Sequence, residues 1–180
     1  MTVRIEDHLR RFWDNNRGPL KAATACYLIG LLAGAALAPA ATAHPTTLTT
    51  ENSIWTLLGH NLFVTIGLAA GALSLGAVTL ILLLFNGAVL GMAIAVAVEK
   101  IPLLTIALAL APHGLLEIPA AVLAGAAGFK TSQLLRAQPC SSTERAPQRC
   151  HRDFTILLIA AVVALALAAP LEIYVSARPT

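Results

Sequence analysis

Eight residues of this chain could do chemistry where polar groups are costly: His60, Asn61, Asn86, Glu99, Lys100, His113, Glu117 and Glu172 stand inside or beside long apolar runs. Ionisable groups at membrane depth are expensive and mark function by default. His113 and Glu117 are four residues apart, so a continuous helix places them on one face, one turn apart. That spacing suits a divalent-metal pair, a proton relay, or a carboxylate orienting an imidazole. The second histidine of H-E-x-x-H is missing, so no zinc-hydrolase motif is present. A structural alternative is a His–Glu hydrogen bond that helps cap a helix starting after Pro112. In the catalytic alternative, His113 is the base or metal ligand, Glu117 its acid/base partner or co-ligand, and Asn61 or Asn86 a donor to substrate.

The remaining polar positions have simple structural roles beside the chemical one. Asn86-Gly87 is a turn signal. His60 and Asn61 suit the outer cap of a span, and Glu99 with Lys100 an interfacial pair whose long side chains snorkel. Glu172 stands among Leu171, Ile173, Tyr174 and Val175, fitting either the outer headgroups or the bundle. Cys26 reads as a packed thiol, and Cys140 and Cys150 with His151 match no standard zinc spacing. Phosphate-binding glycine loops, nucleophile elbows and dinucleotide fingerprints are all absent.

The elements that must hold these residues are membrane helices. Of 180 residues, 57% are apolar and 12% charged, against about 45–50% and 25% in soluble domains. No charge interrupts Ala22 to Thr50, Asn52 to Val98, Ile101 to Leu116 or Ile118 to Phe129. Such runs exclude a soluble globule and a disordered chain, and predict an all-α, polytopic transmembrane bundle. Most Lys/Arg fall in two windows: Arg4, Arg10, Arg11, Arg17 and Lys21, then Lys130, Arg136, Arg145, Arg149 and Arg152. Basic clusters flanking apolar spans mark the cytoplasmic side, and neither window offers the readout residues of a nucleic-acid face.

These windows predict a cytoplasmic segment 1–20, a transmembrane domain 21–176, and an inside loop 130–153. Residues 4–16 read as a short interfacial helix with Ile5, Leu9, Phe12 and Trp13 near one face. The first span, Lys21 to Ala38, is expected to be retained, although Ala41-Thr42-Ala43 resembles a cleavage site. Leu62 to Phe85 reads as the next span, Gly87–Val98 as a short outgoing helix, Leu103–Ala111 as re-entrant or interfacial, and Leu115–Leu135 and Phe154–Leu171 as the last two. That gives about five crossings plus one short half-helix, N-terminus inside. Parity then gathers His60, Asn61, residues 99–113, Glu117 and Glu172 in the outer half, with Asn86 apart on the inner side.

Gly30/Gly34, Gly67/Gly71 and Gly87/Gly91 are small-residue pairs four apart, which let helix backbones approach closely. Residues 60–129 resemble the stage II sporulation protein M family. The resemblance rests on Asn86-Gly87 with Gly91, on Pro112-His113-Gly114 with Glu117, and on Glu172 within APLEIYVS. It implies a scaffold, or a subunit of a membrane assembly or of a secretion or transport system, in a bacterial or archaeal cell membrane. Relatives that accompany circular bacteriocins imply the alternative, an intramembrane enzyme that cleaves, cyclises or exports a hydrophobic peptide through His113 and Glu117. Whether the chain is an enzyme stays open at this point. The expected partners are lipids, other membrane proteins or a hydrophobic peptide, and further copies of the chain, with no nucleic acid. No cofactor is expected beyond the divalent-metal option at His113 and Glu117.

Overall fold

A computed structural model describes residues 2–41, 54–137 and 145–176. Their regular structure is helical throughout: α1 Thr2–Ala41, α2 Ile54–Ala70, a 3-10 turn at Gly71–Ser74, α3 Ala77–Val98, α4 Leu103–Ala137 and α5 Arg145–Ser176. Three helical segments, Glu6–Ala38, Ala77–Val98 and Cys150–Ala168, are long and apolar enough to cross a membrane. Their outward faces carry large apolar side chains such as Ile29, Leu32, Ile81, Phe85 and Ile159, all more than half exposed. Such faces suit lipid rather than water.

Helix α4 is the hub, packing on α1, α2, α3 and α5. Residues 124–128 are buried in succession, and at 3.6 residues per turn five successive positions go fully round the helix. Ala124, Gly125, Ala126, Ala127 and Gly128 are small enough for four neighbours to close in. Gly125 abuts Leu83 of α3, and Gly128 meets the Leu68 carbonyl of α2 and the Thr79 hydroxyl of α3.

The tightest pairing joins α1 to α3. A Cβ on Gly30 or Gly34 would overlap the carbonyl of Leu84 or Ala88, and one on Gly87 or Gly91 would overlap that of Tyr27 or Leu31. Two small-residue motifs thus face each other reciprocally, each admitting the other's backbone. Numbers rise together across this seam, so α1 and α3 run parallel. Contacts of Leu83 with Gly125 and of Thr79 with Gly128 make α4 antiparallel to α3. Asn61 with Glu117, and Leu68 with Gly128, make α2 parallel to α4. Lys130, near the end of α4, lies beside Cys150 and Asp153, near the start of α5, and because the two long helices pack on each other α5 runs antiparallel to α4. Helix direction therefore alternates along the chain.

Several expected boundaries move. The span expected at Leu62 to Phe85 is two helices, broken at residues 71–76. Gly76 turns the chain at φ 91° after Leu75 at φ 53°, conformations in which glycine alone carries no steric cost. The break is stitched by Gly76 N–H donating to Gly71 O at 2.8 Å and by the Thr79 hydroxyl donating to Leu68 O at 2.9 Å. Asn86-Gly87 is not a turn and Gly87–Val98 is not a separate short helix; both lie within α3. There the Asn86 amide donates to Leu82 O at 2.7 Å, and Gly87 serves close packing instead.

Nor is Leu103–Ala111 a re-entrant piece, since α4 runs unbroken through Pro112 and Pro119. Apolar surroundings and helical neighbours let membrane helices carry proline internally. The break at Glu99–Pro102 is present, as the turn between α3 and α4. Residues 4–16 are not a separate interfacial helix but the first turns of the 40-residue α1. The Ala43 cleavage signal lies outside the described residues.

Candidate functional site

Three helices bring polar side chains toward Glu117, inside the bundle. The Asn61 amide of α2 donates to Glu117 Oε1 of α4 at 2.8 Å. Tyr27 of α1 is 7% exposed and within electrostatic reach of Glu117. Asn86 of α3 adjoins Gly87, which receives the Tyr27 carbonyl. Extending the α3–α4 register from Leu83–Gly125 and Thr79–Gly128 puts Glu117 near the level of Gly91, about 7 Å along the bundle from Asn86. A carboxylate and an amide inside apolar helices are costly when unpaired, and one hydrogen bond between them ties α2 to α4.

The other expected site residues are less concentrated. Glu99 and Lys100 are exposed in the α3–α4 turn. The side chains of His60, His113 and Glu172 lie outside the described residues, and with them the His113–Glu117 metal or acid/base pair. Among the described residues no three His, Cys, Asp or Glu side chains come together. The buried Cys150 thiol sits 3.9 Å from Lys130 O, whereas Cys140 is outside the described residues.

A second polar cluster, at the end carrying both basic windows, went unrecognised in the sequence. Lys130 Nζ donates to Asp153 Oδ2, Asn16 Oδ1 and Asn15 O, each at 3.0 Å, which uses all three ammonium protons. Asp153 is 1% exposed and Lys130 11%, and Asn16 is fully buried. Arg152 Nη2 stands 3.7 Å from Asp153 Oδ1. The Asn15 carbonyl is available because Pro19, four residues on, has no N–H to donate. Lys130 thus replaces a helix hydrogen bond that proline removed. One clue was legible: Asp153 opens the apolar run of α5, where a charge without a partner is costly. Tyr27 had no comparable signal.

The family model described as stage II sporulation protein M matches residues 23–177. An uncharacterized protein of Methanocaldococcus jannaschii is 29% identical over 124 residues, covering 68% of this chain and 70% of the relative. No solved structure matches. Neither match carries any mention of bacteriocins or peptide maturation.

Proposed function

The chain belongs to the stage II sporulation protein M family, and from that premise we propose that it is a non-enzymatic component of a membrane assembly, a scaffold or a subunit of a transport or secretion system. The observation that carries this reading is the 2.8 Å bond from Asn61 to Glu117. The most suspicious carboxylate in the apolar part of the chain works as a tie between two helices. A glutamine at 117 keeps a carbonyl that accepts the same bond.

Glu117→Gln is therefore expected to leave folding, oligomeric state and bound partners unchanged in native mass spectrometry, and to complement a deletion strain. Glu117→Leu, which strands the Asn61 amide, is expected to cost about 1–3 kcal/mol of stability. A Glu117→Gln protein that folds and keeps its partners yet fails to complement would overturn the reading in favour of chemistry at this carboxyl. So would a divalent metal that co-purifies and is lost on His113→Ala.

The alternating helix directions, with both basic windows at one end, support five crossings with the N-terminus inside. In a background lacking the three native cysteines, Lys100→Cys is expected to react with an impermeant maleimide from outside intact cells. Gln148→Cys should react only after permeabilisation. The reverse pattern would invert the topology.

A further inference from the structure

Helix α1 crosses a Gly18-Pro19 pair without a break, a combination that elsewhere ends or kinks helices. A Cβ at Gly18 would meet nothing within 4 Å, so no close packing accounts for the glycine. What holds the helix in line is the Lys130 ammonium, bonded to Asn15 O and Asn16 Oδ1 just before the pair. Asp153 anchors that ammonium to α5, and Phe12 packs against the core below it.

The segment held this way is unsuited to where it stands. Ala22–Ala41 supplies about 30 Å of uncharged helix, one hydrocarbon thickness. Trp13 then lies about 13 Å beyond the hydrocarbon edge and Leu9 about 20 Å, past a headgroup layer roughly 5–8 Å deep. Yet Leu9 is 63% exposed and Trp13 61%. They sit one turn apart on the same side of the helix, with the exposed Arg10 and Arg17 beside them. Residues 2–17 carry Arg4, Arg10, Arg11 and Arg17 against Glu6, Asp7 and Asp14, a net +1. Apolar anchors beside arginines fit an anionic lipid surface.

We infer that residues 2–17 are an arm hinged at Gly18–Pro19 and latched upright by Lys130, and that on release the arm lies down on the anionic lipid surface next to the hinge. The hinge is about 5 Å from the hydrocarbon edge, so the arm swings at headgroup level and brings Trp13 to the acyl boundary. Nothing in this inference depends on which compartment the arm faces.

The test is Trp13 fluorescence in nanodiscs containing acyl-chain-brominated lipids, in a Trp55→Phe background that leaves Trp13 as the sole tryptophan of the sequence. The latched protein is expected to show little quenching. The neutral pair Lys130→Met/Asp153→Leu is expected to raise quenching several-fold in phosphatidylglycerol and much less in phosphatidylcholine. Adding Gly18→Ala and Pro19→Ala, which stiffen the hinge, should return it to the latched level. Asn16→Ala, which removes one acceptor and keeps the ion pair, is the milder variant and should move quenching in the same direction. Quenching unaffected by loss of the latch, or already high in the unmutated arm, would overturn the inference. Equal quenching in the two lipids would overturn the anionic surface.

Discussion

Gly34→Leu is expected to abolish the folded bundle, and even Gly34→Ala to cost about 3 kcal/mol, the upper end of overpacking penalties. A Cβ at Gly34 would stand 2.6 Å from the carbonyl carbon of Ala88 and closer still to its oxygen. The obstacle is backbone on a neighbouring helix, so no side-chain rotation relieves it, and α1 must lift from α3 along the seam. Gly91→Ala should behave alike, because its Cβ would stand 2.8 Å from the Leu31 carbonyl carbon. Gly18→Ala is the control, with nothing within 4 Å of its Cβ; it should be neutral or gain up to about 1 kcal/mol from helix propensity. Denaturant titration in mixed detergent micelles, read by size-exclusion profile, separates these outcomes. Equal midpoints for Gly34→Ala and Gly18→Ala would show that the seam does not hold α1.

Lys130→Met should destabilise the protein by about 3–5 kcal/mol, the usual result of removing one partner from a buried ion pair. Asp153 is 1% exposed and would be left with Arg152 Nη2 at 3.7 Å. The carbonyls of Asn15 and of the Asn16 side chain would lose their donor as well. Lys130→Arg should recover little, since a planar guanidinium does not reproduce three bonds radiating from one nitrogen. Lys130→Met/Asp153→Leu is expected to regain most of the loss, because a volume-matched apolar pair is often as stable as a buried ion pair. The same titration reads all three. A double variant no better than Lys130→Met would mean the cluster contributes through Asn15 and Asn16 alone.

What the sequence made legible follows from strong, one-dimensional signals. Uncharged runs identify membrane helices because ions in hydrocarbon are costly, and Pro102 beside Glu99-Lys100 marks a turn for the same reason. The Gly30/Gly34 and Gly87/Gly91 pairs were visible as close-packing motifs, although only the structure matches one with the other. The 71–76 hairpin was hidden because GALSLG has neither charge nor proline, and its turn depends on a left-handed Gly76 and a Thr79–Leu68 bond eleven residues apart. Without that turn the neighbouring expected boundaries shift, and the turn expected at Asn86-Gly87 stands instead at Leu75-Gly76. Asn61 and Glu117 were each recognised, but their bond spans 56 positions and follows no periodicity. Lys130 reads only as one charge of a basic window and Asp153 carries no reading of its own, because charge counting does not distinguish a solvated lysine from a buried one.

The parallel seam between α1 and α3 also has a dimension in time. Its two halves are 57 positions apart, Gly34 against Gly91, and an intervening helix must turn back before they can meet. At a synthesis rate of about 5–20 residues per second, the first helix waits roughly 3–11 s for its mate. During that wait its glycine face is open to lipid and to any other small-residue helix nearby. Biogenesis of this protein is thus ordered by the ribosome, and the α2–α3 hairpin completes the first helix as much as it extends the chain.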